Sequence, residues 1–392
     1  MHEITKSKMA SLGRRGFLLG GGAAAISAGL AACTLDTGAG TPSKTVAAAT
    51  GGGGSGSGLT NFQPLSAKAR SKKLTIALVM QQLSAQSDQH SVDAFKKYVK
   101  DENLPWDLRI QDAKGDPGTL SSMMTDSATA GVDGMVVGYG TLTSAQAALQ
   151  AVAKSGVPLL TIDSGYFAPA VCDITSNNYN IGGGMADYLI NRLQSKGKPA
   201  ANICVIYANF HHGTLRRGRV LDAALKDNQW INVLDTKVIE YTGFYETSLN
   251  TVQDWISRHG DKLDAIWCPW DEPAEAAAEA LSRAGKDVND VFVIGADGTA
   301  GAVEKMKAKN YPQVYTAAQA FELWSPLAAL VMGQIAAEGK PAREVVPVTQ
   351  IATPSPELVV GANLPKAGIL PWKATDFNYL MRDSAMKAAG MS

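Results

Sequence analysis

Six short stretches of this chain gather side chains suited to holding a small polar molecule. They are Gln81-Gln82-Leu83-Ser84-Ala85-Gln86-Ser87-Asp88, Gly138-Tyr139-Gly140, Asp163-Ser164, His211-His212-Gly213, Trp270-Asp271-Glu272 and Asp297-Gly298. Carboxylates accept hydrogen bonds, amides donate and accept, and indole and phenol rings offer flat apolar faces. A neutral polyhydroxylated ligand needs all three kinds of contact. Other chemistries are less well served. Asp271-Glu272-Pro273 resembles a catalytic acid pair, but acidic residues with a proline in the first turn read as a helix start. His211-His212 offers two imidazoles without a second ligand set at metal spacing. Gly138-x-Gly140 ahead of Asp163 imitates a dinucleotide fingerprint, yet Thr143 stands where the third glycine belongs. No Gly-x-Ser-x-Gly elbow and no phosphate-binding loop occurs. The expectation is binding without bond cleavage, with no cofactor and no metal.

These stretches follow short apolar runs, which must be the elements that position them. Strands are expected at Leu74–Met80, Leu108–Gln111, Gly134–Val137, Pro158–Ile162 and Val171–Ile174. A second series follows at Ile203–Tyr207, Val233–Ile239, Leu263–Cys268 and Val291–Ile294. Helical stretches lie between them, at Ser91–Lys100, Asp116–Ala130, Ser144–Lys154, Ile181–Ser195, Leu215–Lys226, Thr247–Arg258, Ala274–Ala284 and Ala300–Lys309. Strands alternating with helices of 10–15 residues imply parallel sheets flanked by helices. Two such series imply an α/β protein of two Rossmann-like lobes. Ligands of open α/β sheets bind at the carboxyl ends of the strands, so the two sets of strand ends can face each other across a cleft.

The N-terminus carries a different message. Arg14-Arg15 precedes a Gly-, Ala- and Leu-rich run that ends in Leu30-Ala31-Ala32-Cys33. A charged segment, a short apolar segment and small residues before a cysteine read as an export signal over residues 1–32. The quartet resembles a bacterial lipobox, which implies a lipid on Cys33 and attachment to the outside of the cell membrane. The paired arginines resemble a twin-arginine signal, with Gly13 and Leu19 where that motif usually has Ser and Lys. The apolar stretch is shorter than the ~20 residues a spanning helix needs. Residues 33–72, with Gly51-Gly52-Gly53-Gly54-Ser55-Gly56-Ser57-Gly58, read as a flexible tether.

Bulk composition narrows the classes further. The whole chain has 36 basic and 36 acidic residues. Without residues 1–32 it keeps 32 basic and 35 acidic, a net −3 that argues against nucleic acid as a partner. Cys172, Cys204 and Cys268 remain beyond Cys33, an odd number that sets no disulfide framework. Cys204 and Cys268 lie in apolar runs and read as buried thiols.

Five motifs in order resemble the type I periplasmic binding proteins of sugar ABC importers, in particular the ribose-binding-like branch. They are Gly131-Val132-Asp133-Gly134-Met135-Val136-Val137, Val157-Pro158-Leu159-Leu160-Thr161-Ile162-Asp163, Ser176-Asn177-Asn178-Tyr179-Asn180-Ile181-Gly182-Gly183, Val293-Ile294-Gly295-Ala296-Asp297-Gly298-Thr299 and Tyr315-Thr316-Ala317-Ala318-Gln319. The resemblance spans about residues 73–360. It implies three crossings between lobes, with the N-lobe at 73–175 plus 320–348 and the C-lobe at 176–319 plus 349–392. It also implies ligand contacts from Asp163, Arg217, Phe244, Asp297 and Gln319. Ser164 stands where the family often has arginine, and Trp270 where it often has asparagine. The first loop lacks Asn-Pro-Phe-Phe and offers Gln82, Gln86 and Asp88 instead. Trp270, opening a cleft loop, is expected to be a stacking platform. Two lost polar contacts and an added indole favour a ligand of four or five carbons over a hexose. The resulting expectation is a monomeric, lipid-anchored solute-binding protein. It would close on a small neutral sugar or sugar alcohol and deliver it to an ABC permease. An exported enzyme, or a sensor serving a signalling receptor, would use the same cleft.

Overall fold

The computed structural model describes residues 64–353, 355–362 and 364–365. The expected export signal, Arg14-Arg15, Cys33 and most of the expected tether lie outside the described residues. Twelve strands are described: β1 (Leu74–Met80), β2 (Trp106–Asp112), β3 (Gly134–Gly138), β4 (Leu159–Ile162), β5 (Asp173–Ser176), β6 (Ala201–Ala208), β7 (Ile231–Ile239), β8 (Ala265–Trp267), β9 (Phe292–Asp297), β10 (Gln313–Ala318), β11 (Gln350–Thr353) and β12 (Glu357–Val359).

They form two six-stranded sheets, one per lobe. The first runs β11-β5-β4-β3-β1-β2 and the second β12-β10-β9-β8-β6-β7. All pairings are parallel except β12 against β10. The central strands are predominantly apolar and buried because helices cover both faces. β3, β4, β8 and β9 are buried at every position. Each sheet has its own apolar core on each face, with Phe95, Trp106 and Trp324 in the first lobe and Trp255, Trp267 and Phe292 in the second. Cys172, Cys204 and Cys268 are free and buried in these cores.

Two boundaries differ from expectation. Residues 350–353 pair with β5, Ile351 opposite Ile174, so they complete the first sheet. The third passage between lobes therefore comes after Thr353, not at 348–349. Alternation of buried Ile351 and Thr353 with more exposed neighbours is too short a signal to reveal a strand in sequence. The expected tether also ends early. Ser66 caps a one-turn helix, Ala67–Arg70, by accepting from the Ala69 amide. Leu65 and Ala69 are buried in the first lobe's core, the Ser66 amide donates to Glu338 Oε1 at 2.8 Å, and Arg70 pairs with Glu102. The folded body thus begins before Lys73. Among the described residues no helix is long and apolar enough to cross a membrane.

Candidate ligand-binding site

A cavity opens between the lobes at the carboxyl ends of the strands. Three of its lining residues stand at or just past strand ends in a backbone conformation that side chains rarely adopt. Tyr139 follows β3 with φ 57°, Asp163 follows β4 with φ 44°, and Asp297 ends β9 with φ 112°. Such conformations cost about 1–3 kcal/mol each and persist only where the surroundings impose them. Here the chain turns sharply off the sheet and aims three polar side chains at one space.

Asp163 is buried. Its carboxylate accepts from the Thr175 hydroxyl and, at 3.4 Å, from Asn178 Nδ2. Burial alone would raise its pKa. The imidazoles of His211 and His212, the Thr175 hydroxyl and the Arg217 guanidinium outweigh burial, so the group lies below the usual carboxylate range. Asp297 accepts on Oδ1 from Gln319 Nε2 at 2.6 Å and from Arg217 Nη1 at 3.3 Å. Burial nevertheless pushes Asp297 up to about 7, against the pull of Arg217 and Gln319.

Arg217 is fixed from three directions although only 1% exposed. Its Nε donates to Asn178 Oδ1 at 2.9 Å, and its Nη1 to the Pro269 carbonyl at 2.8 Å as well as to Asp297. It lies on the helix His212–Asp227, which packs directly on the helix Asn178–Ser195. A Cβ at Gly182 would meet the Arg217 Cα at 3.0 Å, tighter than an ordinary contact, so glycine favours this close approach. Asn178 opens the second of these helices where the chain first leaves the first sheet, and it touches both Asp163 and Arg217. One amide thereby links the carboxylate of one lobe to the guanidinium of the other.

Aromatic rings form the apolar walls. Phe244 and Trp270 meet edge to face with centroids 5.3 Å apart, Phe210 meets Trp270 at 6.1 Å, and Phe210 meets Tyr241 at 4.2 Å. Tyr139 and Phe321 complete the lining. The Tyr241 hydroxyl donates to the Tyr139 carbonyl at 2.9 Å, a bond from one lobe to the other.

Of the residues expected from sequence, Asp88, Asp163, Arg217, Phe244, Trp270, Asp297 and Gln319 all line this cavity. Gln82 and Gln86 do not. The Gln82 amide donates to the Ser84 hydroxyl at 2.6 Å and its backbone N–H to Asp88, which holds the loop back on itself. Gln86 begins the helix Gln86–Asp101 and presents its backbone N–H, not its side chain, to Glu272 across the cleft at 3.5 Å.

Glu272 belongs to a stretch expected at the cleft, but it is not singled out in the sequence as a ligand contact because the acid pair reads as a helix start. The helix Asp271–Arg283 does start at the acid pair, as expected. Asp271 is structural, accepting from Gln313 Nε2 and the Thr299 amide, each at 2.9 Å. Glu272 instead lines the cavity and accepts from the Trp270 indole N–H at 2.9 Å. The signal available was its place at a strand end. Tyr139, in one of the strand-end stretches expected to hold the ligand, also lines the cavity, whereas Tyr241, Phe210 and Phe321 are not singled out in the sequence.

His211 and His212 reach across from the second lobe. His211 Nε2 contacts the Asp163 carbonyl oxygen, and His212 Nε2 lies 3.7 Å from Asp163 Oδ1 and 4.0 Å from Asp173 Oδ2. Donor atoms of Asp163, His211 and His212 lie within 4.8 Å of one another, a grouping able to hold a divalent ion. The spacing of the two histidines in sequence could not show it, because the third donor comes from the other lobe. Burial lowers both imidazoles, His212 to about 3, against the pull of Asp163. Burial and the neighbouring Asp163 push Asp173 up to about 7.

A periplasmic binding protein domain model matches residues 76–341. The chain belongs to that family. Within it, the two lobes and their parallel sheets are those of the type I sugar-binding proteins. The chain is similar to the xylitol-binding protein of Mycolicibacterium smegmatis, at 23% identity over 216 residues, 55% of this chain and 59% of that protein. It is similar to the ribose import binding protein of Bacillus subtilis, at 27% identity over 223 residues, 56% of this chain and 68% of that protein. The match thus spans about three fifths of the length of the first of these relatives. The fold resembles that of the Caulobacter myo-inositol binding protein, with a TM-score of 0.65 at 19% identity over 75% of this chain and 95% of the other.

Proposed function

We propose that this chain is an extracytoplasmic solute-binding protein that captures a small sugar or sugar alcohol between its lobes and delivers it to an ABC permease. The observation that carries this reading is the cavity itself. Carboxylates, a guanidinium and an amide converge there at strand ends, against aromatic walls. Such a set can accept from hydroxyl groups, donate to ring or chain oxygens and cover C–H faces. Asn178 and the Tyr241–Tyr139 bond link the two walls, so hinge closure would assemble the site around its ligand. No step breaks a bond. The names of the xylitol- and ribose-binding relatives support a ligand of four or five carbons, the size favoured by Trp270 and Ser164.

The test is a thermal-shift series of tetritols, pentitols, pentoses, hexoses and cyclitols at equal concentration. Bound ligand stabilises the folded state by about 2.7 kcal/mol at a hundredfold excess over Kd. A pentitol or pentose is expected to give the largest shift. A larger shift from a hexose would reject the size argument, and no shift from any member would reject the sugar reading. We propose further that Cys33 carries a lipid. Cys33→Ser should then abolish membrane association in fractionated cells, and unchanged association would reject the anchor.

A further inference from the structure

The charges lining the cavity do not balance. Asp88, Asp163, Glu272 and Asp297 contribute four carboxylates, and Arg217 is the one lysine or arginine in the lining. That guanidinium is committed to Asp297, and Asp163 lies within its field. Asp88 and Glu272 are left with neutral partners. Asp88 accepts from the Gln82 backbone N–H at 3.0 Å and the Ser87 hydroxyl at 3.3 Å, and Glu272 accepts from the Trp270 indole N–H and the Gln86 backbone N–H. Among the described residues neither forms an ion pair. The two come from opposite lobes and repel one another, and burial raises both.

What the site still asks for is therefore positive charge and donors. Gln319 points the same way. Its Nε2 is used on Asp297, while its Oε1 is buried without a donor. The walls beside Glu272 are aromatic, with Trp270 in contact with both Phe210 and Phe244. Aromatic faces attract an ammonium group and do so more strongly once water is excluded. A neutral polyol would leave both groups either protonated or buried without a counter-charge, whereas an ammonium between them would pair with both in ionised form.

We infer that the ligand is an amino-polyol, a polyhydroxylated frame carrying one protonated amine that seats between Asp88 and Glu272 against the ring faces. The inference rests on the proposed function for the polyol frame and adds the amine. The frame would occupy Asp163, Arg217, Asp297 and Gln319, and the ammonium would join the two lobes by charge-assisted bonds to one carboxylate from each.

Calorimetry on matched sets tests this: xylitol, 1-amino-1-deoxyxylitol and its N-acetyl derivative, and myo-inositol beside a monoamino-monodeoxyinositol and its N-acetyl derivative. In at least one set the amine is expected to bind at least about tenfold more tightly than the parent polyol, about 1.4 kcal/mol, and N-acetylation should remove that advantage. Glu272→Gln and Asp88→Asn should each cut the amine-to-parent affinity ratio about tenfold or more. A parent polyol binding as tightly as its amine in every set that binds would overturn the inference and leave the proposed function standing. Binding by no member of any set would overturn both.

Discussion

The first lobe brings Asp88 and Asp163 to the cavity but no lysine or arginine, whereas the second brings Arg217, Glu272 and Asp297 with four of the six rings. The second wall is internally braced. Arg217 is tied to Asp297 and to the Pro269 carbonyl, and the rings form a chain of contacts from Tyr241 to Phe210 to Trp270 to Phe244. The first wall is braced around Asp163 through Thr175, and its second carboxylate waits for a cation. The difference teaches how such a cleft divides its labour. One lobe supplies a prebuilt platform with directional donors and flat faces, which needs little reorganisation to receive a ligand. The other supplies acceptors that become useful only when the lobes meet.

The largest effect should come from the platform. Arg217→Met leaves Asp297 and Asn178 without their cationic partner inside the protein. Breaking a buried pair in this way typically costs about 3–5 kcal/mol. Denaturant unfolding of the variant should show a loss of that size, with ligand binding lost as well. A loss below about 1 kcal/mol would mean that the second wall is not braced by Arg217.

Asn178→Ala should strike both walls at once, because its amide serves Asp163 and Arg217. A penalty of about 1–3 kcal/mol is expected, as for leaving buried polar groups without partners. Calorimetric affinity should fall more than the affinity of a variant altered on one wall only. Equal effects would show that the two walls are not coupled through this residue.

Asp173 allows a test by pH. Its carboxyl is raised to about 7 in the folded protein against 3.8 when unfolded, so folding favours its protonated form. The stabilising contribution is complete below the unfolded value and is lost as pH rises through the folded one. Asp173→Asn keeps an oxygen for Thr161 and the Ser164 amide, which now donate at 2.8 and 3.1 Å, and removes the charge. The advantage of the variant over wild type should therefore be about 4 kcal/mol larger at pH 8 than at pH 4. Thermal melts across that range decide it, and a difference that grows toward acid would contradict the assignment.

The smallest effect belongs to the bond between the walls. Tyr241→Phe removes one hydrogen bond to the Tyr139 carbonyl and should weaken ligand affinity by about 0.5–1.5 kcal/mol, read as a faster dissociation rate.

Much of this arrangement was legible in the residues. The apolar runs of β1, β3, β4, β6 and β9 stand out because parallel strands are buried on both faces. The chain's polar residues sit immediately after them, so the sequence alone places Asp163 and Asp297 at strand ends. Glu272 was harder, since an acid in the first turn of a helix serves equally well as a dipole partner in solvent. Only the approach of the Gln86–Asp101 helix from the other lobe makes it part of a site. The His211, His212 and Asp163 grouping was illegible for the same reason, as its members are 48 and 49 residues apart in sequence. β11 was missed because four residues at a sheet edge carry too little pattern. Ser66 and Leu65 were read as tether because nine residues next to a glycine-rich segment do not reveal the groove beside Gly333 that receives them.

The central claim is that one small polyhydroxylated ligand is held by carboxylates from both lobes at once. Calorimetry with xylitol, ribitol, D-ribose and 1-amino-1-deoxyxylitol on the wild type, on Asp163→Asn and on Asp297→Asn tests it most directly. The account predicts one site per chain in the wild type and a loss of roughly 1.5–3 kcal/mol in each variant, the range for hydrogen bonds to charged groups. Wild-type affinity in either variant, or no binding of any of the four to the wild type, would contradict it.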